Sequence, residues 1–205
     1  MGDGYGPMLV AKRKFSREEI IRLKIAVPGT MTSAFLALQL WLGKSAREFS
    51  YIVVPFDQIF ETVRGGLADV GLIIHEGQLT FEQEGLVVSE DLGAWWKREQ
   101  DGLPLPLGGN VIHKRIEPAE REAISDILTA SIRYSLDHRS EAVQHALQYA
   151  RGMGKELADK FVGMYVNHWT LDYGEKGRES IRRFLTMGQE RGLVPNVPRL
   201  EFVGE

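Results

Sequence analysis

Cysteine is absent from all 205 residues. Its absence excludes a disulfide frame, thiolate metal sites and a cysteine nucleophile, and it fits the reducing cytoplasm in which the product is expected to stay. No apolar run is long enough to span a bilayer, and the opening "MGDGYGPMLVAKRK" lacks the basic-then-apolar order of a secretory signal. No membrane partner is expected. Charge of one sign is missing too: 25 Lys and Arg stand against 28 Asp and Glu, a net charge of -3. The basic residues are scattered among acidic ones and leave no electrostatic footprint for nucleic acid. Internal repeats, a phosphate loop and a dinucleotide fingerprint are also lacking. What remains, 43% hydrophobic and 26% charged residues, is the make-up of a globular chain able to bury a core.

The first half alternates strand and helix signals. Ser16 and Glu19 form a capping box ahead of a short helix through Leu23, and Lys24 to Val27 follows as a buried strand. Thr32 or Ser33 caps a helix over Ala34 to Leu42 that stops at Gly43. Tyr51 to Val54 is β-branched and strand-like, Pro55 opens a helix carrying Phe56, Ile59, Phe60 and Val63, and Gly65-Gly66 ends it. With a strand over Asp69 to Ile74, the segment reads β-α-β-α-β, the mark of a parallel sheet. Leu86 to Val88 is a further short strand and Leu92 to Arg98 a helix. The loop "DGLPLPLGGN" (Asp101 to Asn110) is the best candidate for a domain boundary. Beyond it Val111 to Lys114 is strand-like, and helices are expected from Pro118 to about Leu136, Ser140 to Ala150, Lys155 to Tyr165 and Glu175 to Arg191. That helical half has only Pro7 to Ala11 and Val111 to Lys114 as strands to pack on. Part of its sheet is therefore expected to be missing.

The chemistry-bearing residues fall on one edge. In an open parallel sheet, ligands bind outside the carboxyl ends of the strands, and His75 ends the strand written "GLII". The turn Pro28 to Ser33 ends another strand at the same edge and opens a helix, whose free N–H groups and dipole favour an anion, with Thr32 and Ser33 adding hydroxyl donors. A neutral imidazole is a suitable proton acceptor at cellular pH. The plainer readings are a solvated histidine at a strand end and two ordinary helix caps. "HEGQL" is not the zinc-protease motif, because the second ligand would fall on Leu79. His113, His138, His145 and His168 have no ligand spacing, Glu76 reads as a solvated or loop-orienting carboxylate, and Trp95 and Trp96 read as a packing face.

"VPGTMTSA" (Val27 to Ala34), "VGLIIHEGQLTF" (Val70 to Phe81), "DLGAWW" (Asp91 to Trp96), "GLPLPLGGNVI" (Gly102 to Ile112) and "YVNHWTLDYGEKG" (Tyr165 to Gly177) resemble the 1,4-dihydroxy-6-naphthoate synthase family of the futalosine route to menaquinone. The match runs in order from about Gly4 to the C-terminus. The resemblance implies an α/β fold of two lobes like type II periplasmic solute-binding proteins, with residues 1–22 and 110–205 in the larger lobe and 23–109 in the smaller. It implies a carbon–carbon lyase that cleaves cyclic dehypoxanthinylfutalosine, a substrate carrying a carboxylate, with no metal and no organic cofactor. His75 matches the family's proton acceptor, Ser33 and Ala34 with Thr32 beside them match its substrate-contacting turn, and Glu76 is placed to orient His75.

One departure stands out. The family pattern begins with a strand and a loop resembling "CPNDTF" and further elements of the first lobe, whereas Met1 falls just before "GYGPMLV". The first lobe is therefore expected to be incomplete at its N-terminus, with uncovered apolar helix faces, weak or absent turnover, and self-association into a homo-oligomer or aggregate. Two other classes fit the same fold: a binding module for small carboxylates, which an inactive truncated homologue would resemble, and a relative of chorismate dehydratase.

Overall fold

Alternation of side chains decides the sheet. In β1 (Met8–Ala11) Leu9 and Ala11 turn to one face and Val10 to the other, and in β2 (Lys24–Val27) Ile25 and Val27 oppose Ala26, as the two-residue period of a strand requires. With β3 (Ser50–Val53), β4 (Val70–Ile73) and β5 (Val87–Asp91) they form one five-stranded sheet in the order β3-β2-β4-β1-β5. β2, β3 and β4 are parallel; β1 is antiparallel to both β4 and β5, so β5 points the same way as β4. The structure, a computed structural model, describes residues 1–149 and 154–203.

The helices begin where short polar side chains can cap them. The Ser16–Glu19 capping box opens α1 (Arg17–Ile20), and Thr32 caps α2 (Ser33–Leu42), which ends at Gly43 in the left-handed region. A 3-10 turn at Phe56–Gln58 leads into α3 (Ile59–Arg64), and α4 (Gly77–Thr80) is a single turn after β4. Asp91 caps α5 (Leu92–Glu99). The second half is helical: α6 (Pro118–Asp137), α7 (Arg139–Ala146), α8 (Lys155–Tyr165), α9 (His168–Leu171) and α10 (Gly174–Glu190). The helix expected over Ser140 to Ala150 ends in a 3-10 turn at Leu147–Tyr149, and Ala150 lies outside the described residues. No helix among the described residues is long and apolar enough to cross a membrane.

Two cores flank the sheet. On one face Leu9, Ile25, Val27 and Leu72 meet Phe35 and Leu38 of α2, Leu92 and Trp96 of α5, and Phe184 of α10. On the other, Val10, Ala26 and Ile73 meet Ile59 and Val63 of α3. Each Leu, Ile, Val or Phe among them contributes about 1.5–3 kcal/mol when fully buried. Trp96 joins the halves of the chain: its ring meets Phe184 edge-on at 5.3 Å, and its Nε1 donates to Ser180 Oγ at 3.1 Å, which donates to the Pro104 carbonyl at 2.6 Å. α3 lies so close to β4 that a Cβ on Gly71 would stand 2.5 Å from Ile59 Cγ2 and 3.1 Å from Val63 Cγ2. Both are stiff β-branched side chains with no room to retreat. Gly71→Ala is expected to destabilise the fold by about 1–3 kcal/mol, measured as a lower urea midpoint; an unchanged midpoint would mean that α3 is free to shift.

The structure corrects the strand assignment of the helical half. β1 does not pair with Val111 to Lys114 in a second sheet; it is inserted between β4 and β5, because Leu9 and Val10 are apolar on opposite faces and both are fully buried there. The segment 1–22, expected with residues 110–205, thus supplies a strand to the sheet of residues 23–109. Val111 to Lys114 forms no strand, and Val111 is 97% exposed. α6 buries none of its side chains: Ile127 is 70% exposed, and Ile124 and Leu128 are also exposed, in line with the expected uncovered face.

Candidate functional site

β2 and β4 are neighbouring parallel strands, so the loops that leave their carboxyl ends start about 4.8 Å apart. One is the turn Pro28 to Thr32 leading into α2, and the other is Ile74 to Glu76 leading into α4. β5 ends at the same edge with Asp91, since Met8 of β1 is opposite both Ile73 and Asp91. His75 and Thr32, Ser33 and Ala34 are therefore brought to one edge of the sheet.

At the α2 start the hydroxyl protons are already used. Thr32 Oγ1 donates to the Gly29 carbonyl at 3.0 Å and accepts the Phe35 N–H at 3.1 Å. Ser33 Oγ donates to the Leu107 carbonyl at 2.5 Å, tying the "GLPLPLGGN" loop to the helix start. The expected hydroxyl donors are thus committed to the fold. Among the described residues nothing accepts the backbone N–H groups of Ser33 and Ala34. An anion at this ten-residue helix would be held by those two groups and the helix dipole.

His75 has φ 59°, the left-handed region that side chains with a Cβ rarely adopt. Its ring packs on Phe56 at a centroid distance of 4.7 Å, and neither ring nitrogen meets a hydrogen-bond partner among the described residues. Glu76 makes no hydrogen bond to the imidazole; its carbonyl takes Leu79 N and Thr80 Oγ1. Three side chains that local sequence did not single out close this end of the site. Gln78, 4% exposed, donates through Nε2 to Tyr165 Oη at 3.2 Å. Tyr5 Oη donates to the Met164 carbonyl, beside Asn167 Nδ2 at 3.5 Å. Burial pushes the phenols of both Tyr5 and Tyr165 above the ordinary tyrosine value, so both stay protonated at neutral pH. The sequence touches this cluster through the segments "VGLIIHEGQLTF", with Gln78, and "YVNHWTLDYGEKG", with Tyr165 and Asn167, without assigning these residues a role.

Asp91 accepts Gly93 N–H at 2.8 Å and Ala94 N–H at 3.0 Å, yet burial raises its pKa to about 6. A folded value above the unfolded one means that the folded chain keeps this proton between about pH 4 and 6 while the unfolded chain has lost it. The contribution to stability is full below about pH 4 and is lost as pH rises through about 6, on the order of 3 kcal/mol in all. Asp91→Asn keeps a capping oxygen and is expected to flatten that slope, read from urea midpoints at pH 4 and pH 7; a slope as steep as wild type would place the titration elsewhere. Among the described residues no group of three His, Asp or Glu is arranged to hold a metal ion.

A family model described as menaquinone biosynthesis matches residues 1–190. The 1,4-dihydroxy-6-naphtoate synthase of Thermus thermophilus is 36% identical over 203 residues, 99% of this chain and 72% of that protein. The enzyme of the same name from Streptomyces coelicolor is 32% identical over 197 residues, 95% of this chain and 69% of its own length. Among solved structures, a protein of Archaeoglobus fulgidus superposes with a TM-score of 0.86 at 36% identity, covering 94% of this chain and 70% of that one. The alkanesulfonate-binding protein of Xanthomonas axonopodis pv. citri, bound to MOPS, superposes with a TM-score of 0.63 at 13% identity, covering 95% and 68%. The last of these speaks to fold alone. The architecture is that of the periplasmic solute-binding proteins.

Proposed function

The chain belongs to the 1,4-dihydroxy-6-naphthoate synthase family of menaquinone biosynthesis, and from that membership we propose that it is a cytoplasmic carbon–carbon lyase. Its substrate is cyclic dehypoxanthinylfutalosine and its product 1,4-dihydroxy-6-naphthoate. The observation that supports this reading is an imidazole whose ring nitrogens meet no partner among the described residues, on the same sheet edge as two N–H groups of a helix start that those residues also leave unpaired. The substrate carboxylate docks on the N–H groups of Ser33 and Ala34, with the Thr32 turn shaping the cradle. His75 takes one proton; the pair left behind forms a ring double bond as a carbon–carbon bond breaks, the released fragment leaves with that bond's electrons and takes up a proton, and the ring becomes aromatic with no external oxidant or reductant. Fixing the carboxylate some distance from the scissile bond is what aligns that proton with the base.

The test is incubation with cyclic dehypoxanthinylfutalosine, with the naphthoate followed by chromatography. Product formation is expected. Thermal stabilisation by the substrate without product would instead favour a carboxylate-binding module.

A further inference from the structure

The His75 turn is unusual in how it is held. A left-handed residue with a side chain is unfavourable by itself and persists where its surroundings over-determine it. The restraint comes from the other half of the chain. Tyr165, the last residue of α8, lies 87 positions away from Gln78 and brings its phenol oxygen to the Gln78 amide at 3.2 Å. Gln78 N–H in turn donates to the His75 carbonyl at 3.2 Å. The peptide group that follows the His75 Cα is therefore fastened by the first turn of α4, and that turn is tied through the Gln78 side chain to a phenol.

Two polar groups in this knot are left over. Gln78 Oε1 is buried and has no partner among the described residues, and none of those residues accepts the Tyr165 hydroxyl proton. Turning the amide end for end would join those two and leave the NH2 group unpartnered, so one end of the buried amide is spare in either orientation. Tyr165 keeps its ring in place independently of the hydroxyl, because it packs on Phe161 at 4.9 Å. Its hydroxyl is thus separable from its packing.

We propose that Tyr165 and Gln78 are positioning residues for His75: the phenol oxygen holds the Gln78 side chain, the Gln78 N–H holds the His75 carbonyl, and together they lock the left-handed turn that aims the imidazole at the substrate. The inference rests on the reading of His75 as the base. It explains why a buried glutamine follows the histidine by three residues, and why an element of the second half of the chain reaches the base at all.

Tyr165→Phe removes the oxygen and keeps the ring. kcat is expected to fall about 10- to 100-fold, the scale set by small misplacements of reacting groups, with KM within about twofold. Tyr165→Phe combined with Gln78→Leu is expected to be no slower than the slower of the two single variants, because the two residues act as one unit. Independently of any substrate, the three-bond HN–Hα coupling of His75 in 15N-labelled protein reports its φ, and it should change in Tyr165→Phe while the couplings of Ile25 and Ala26 stay put. An unchanged His75 coupling overturns the proposal whatever the rate. A changed coupling with wild-type kcat overturns it too, since the turn would then not serve the reaction. A wild type that makes no product, with a coupling that still responds, retires the proposed reaction and supports the backbone lock.

Discussion

His75→Ala is expected to lower kcat by about 100-fold or more, with substrate affinity within a few-fold of wild type and almost no change in thermal midpoint. A positioned general base is worth roughly 10²–10⁴ in rate, and the two phenols near the β4 end, held above the ordinary tyrosine value by burial, stay protonated and do not replace it. The anion cradle is made of backbone N–H groups on α2, so it survives the change. Alanine also inherits the left-handed φ of 59°, because it too carries a Cβ, and therefore neither relieves nor adds strain. What the fold loses is the ring contact with Phe56 at 4.7 Å, a half-buried one. Steady-state kinetics with calorimetry of the same samples separates chemistry from folding, and added imidazole should restore part of the rate. A variant turning over at the wild-type rate would remove His75 from the chemistry.

Much of this edge was legible in the sequence because its signals are local. A capping threonine before an apolar run, a stop glycine in the left-handed region, and a four-residue apolar strand running into a histidine each announce themselves within a few residues, and β2, α2, β3, α3 and β4 fall where those signals put them. β1 was placed in the wrong sheet for the opposite reason. Four apolar residues say that a strand is buried on both faces but not which strands will flank it, and here the partners lie far downstream. Val111 to Lys114 has strand-like residues and no neighbouring strand to pair with, so the propensity goes unused. At the site, His75 and the α2 start could be read from strand ends, whereas Tyr5, Gln78 and Tyr165 meet only through the packing of α8 against the sheet edge. No spacing in the sequence encodes that meeting.

Gly93→Ala is expected to cost about 3 kcal/mol or more and to disturb the site from a distance. A Cβ there would lie 1.9 Å from the Tyr5 carbonyl oxygen, 2.1 Å from its carbon and 2.5 Å from Gly6 N. These are backbone atoms, which have no rotamer to escape into. The stretch ahead of β1 crosses the first turn of α5 at this point, held by Leu92 N–H on the Pro7 carbonyl at 2.9 Å, so the methyl group must push the two apart. Tyr5 would move with the stretch, taking with it the hydroxyl that bonds the Met164 carbonyl next to Tyr165. Gly108→Ala is the control: nothing stands within 4 Å of its added Cβ, and a change within about 0.5 kcal/mol is expected. Urea denaturation of both variants checks the claim, and equal midpoints would show that the crossing is looser than its geometry.

The insertion of β1 between β4 and β5 sets an order of events during synthesis. β1 is fourth across the sheet, and its two partners, both later in the chain, are complete only when Ile73 and Asp91 have been added. At translation rates of about 5–20 residues per second, a ribosome takes roughly 4–16 s to travel from Ala11 to Asp91. For that interval the nascent chain holds a strand that lacks at least its β5 partner, and until Ile73 is made its N–H and C=O groups have neither partner, a template for any other extended segment that drifts by. The parallel pairs β2–β3 and β2–β4 are closed by shorter excursions of the chain. The slot for β1 is complete only once β5 has been made, and the vulnerable period ends when Asp91 comes into register with Met8.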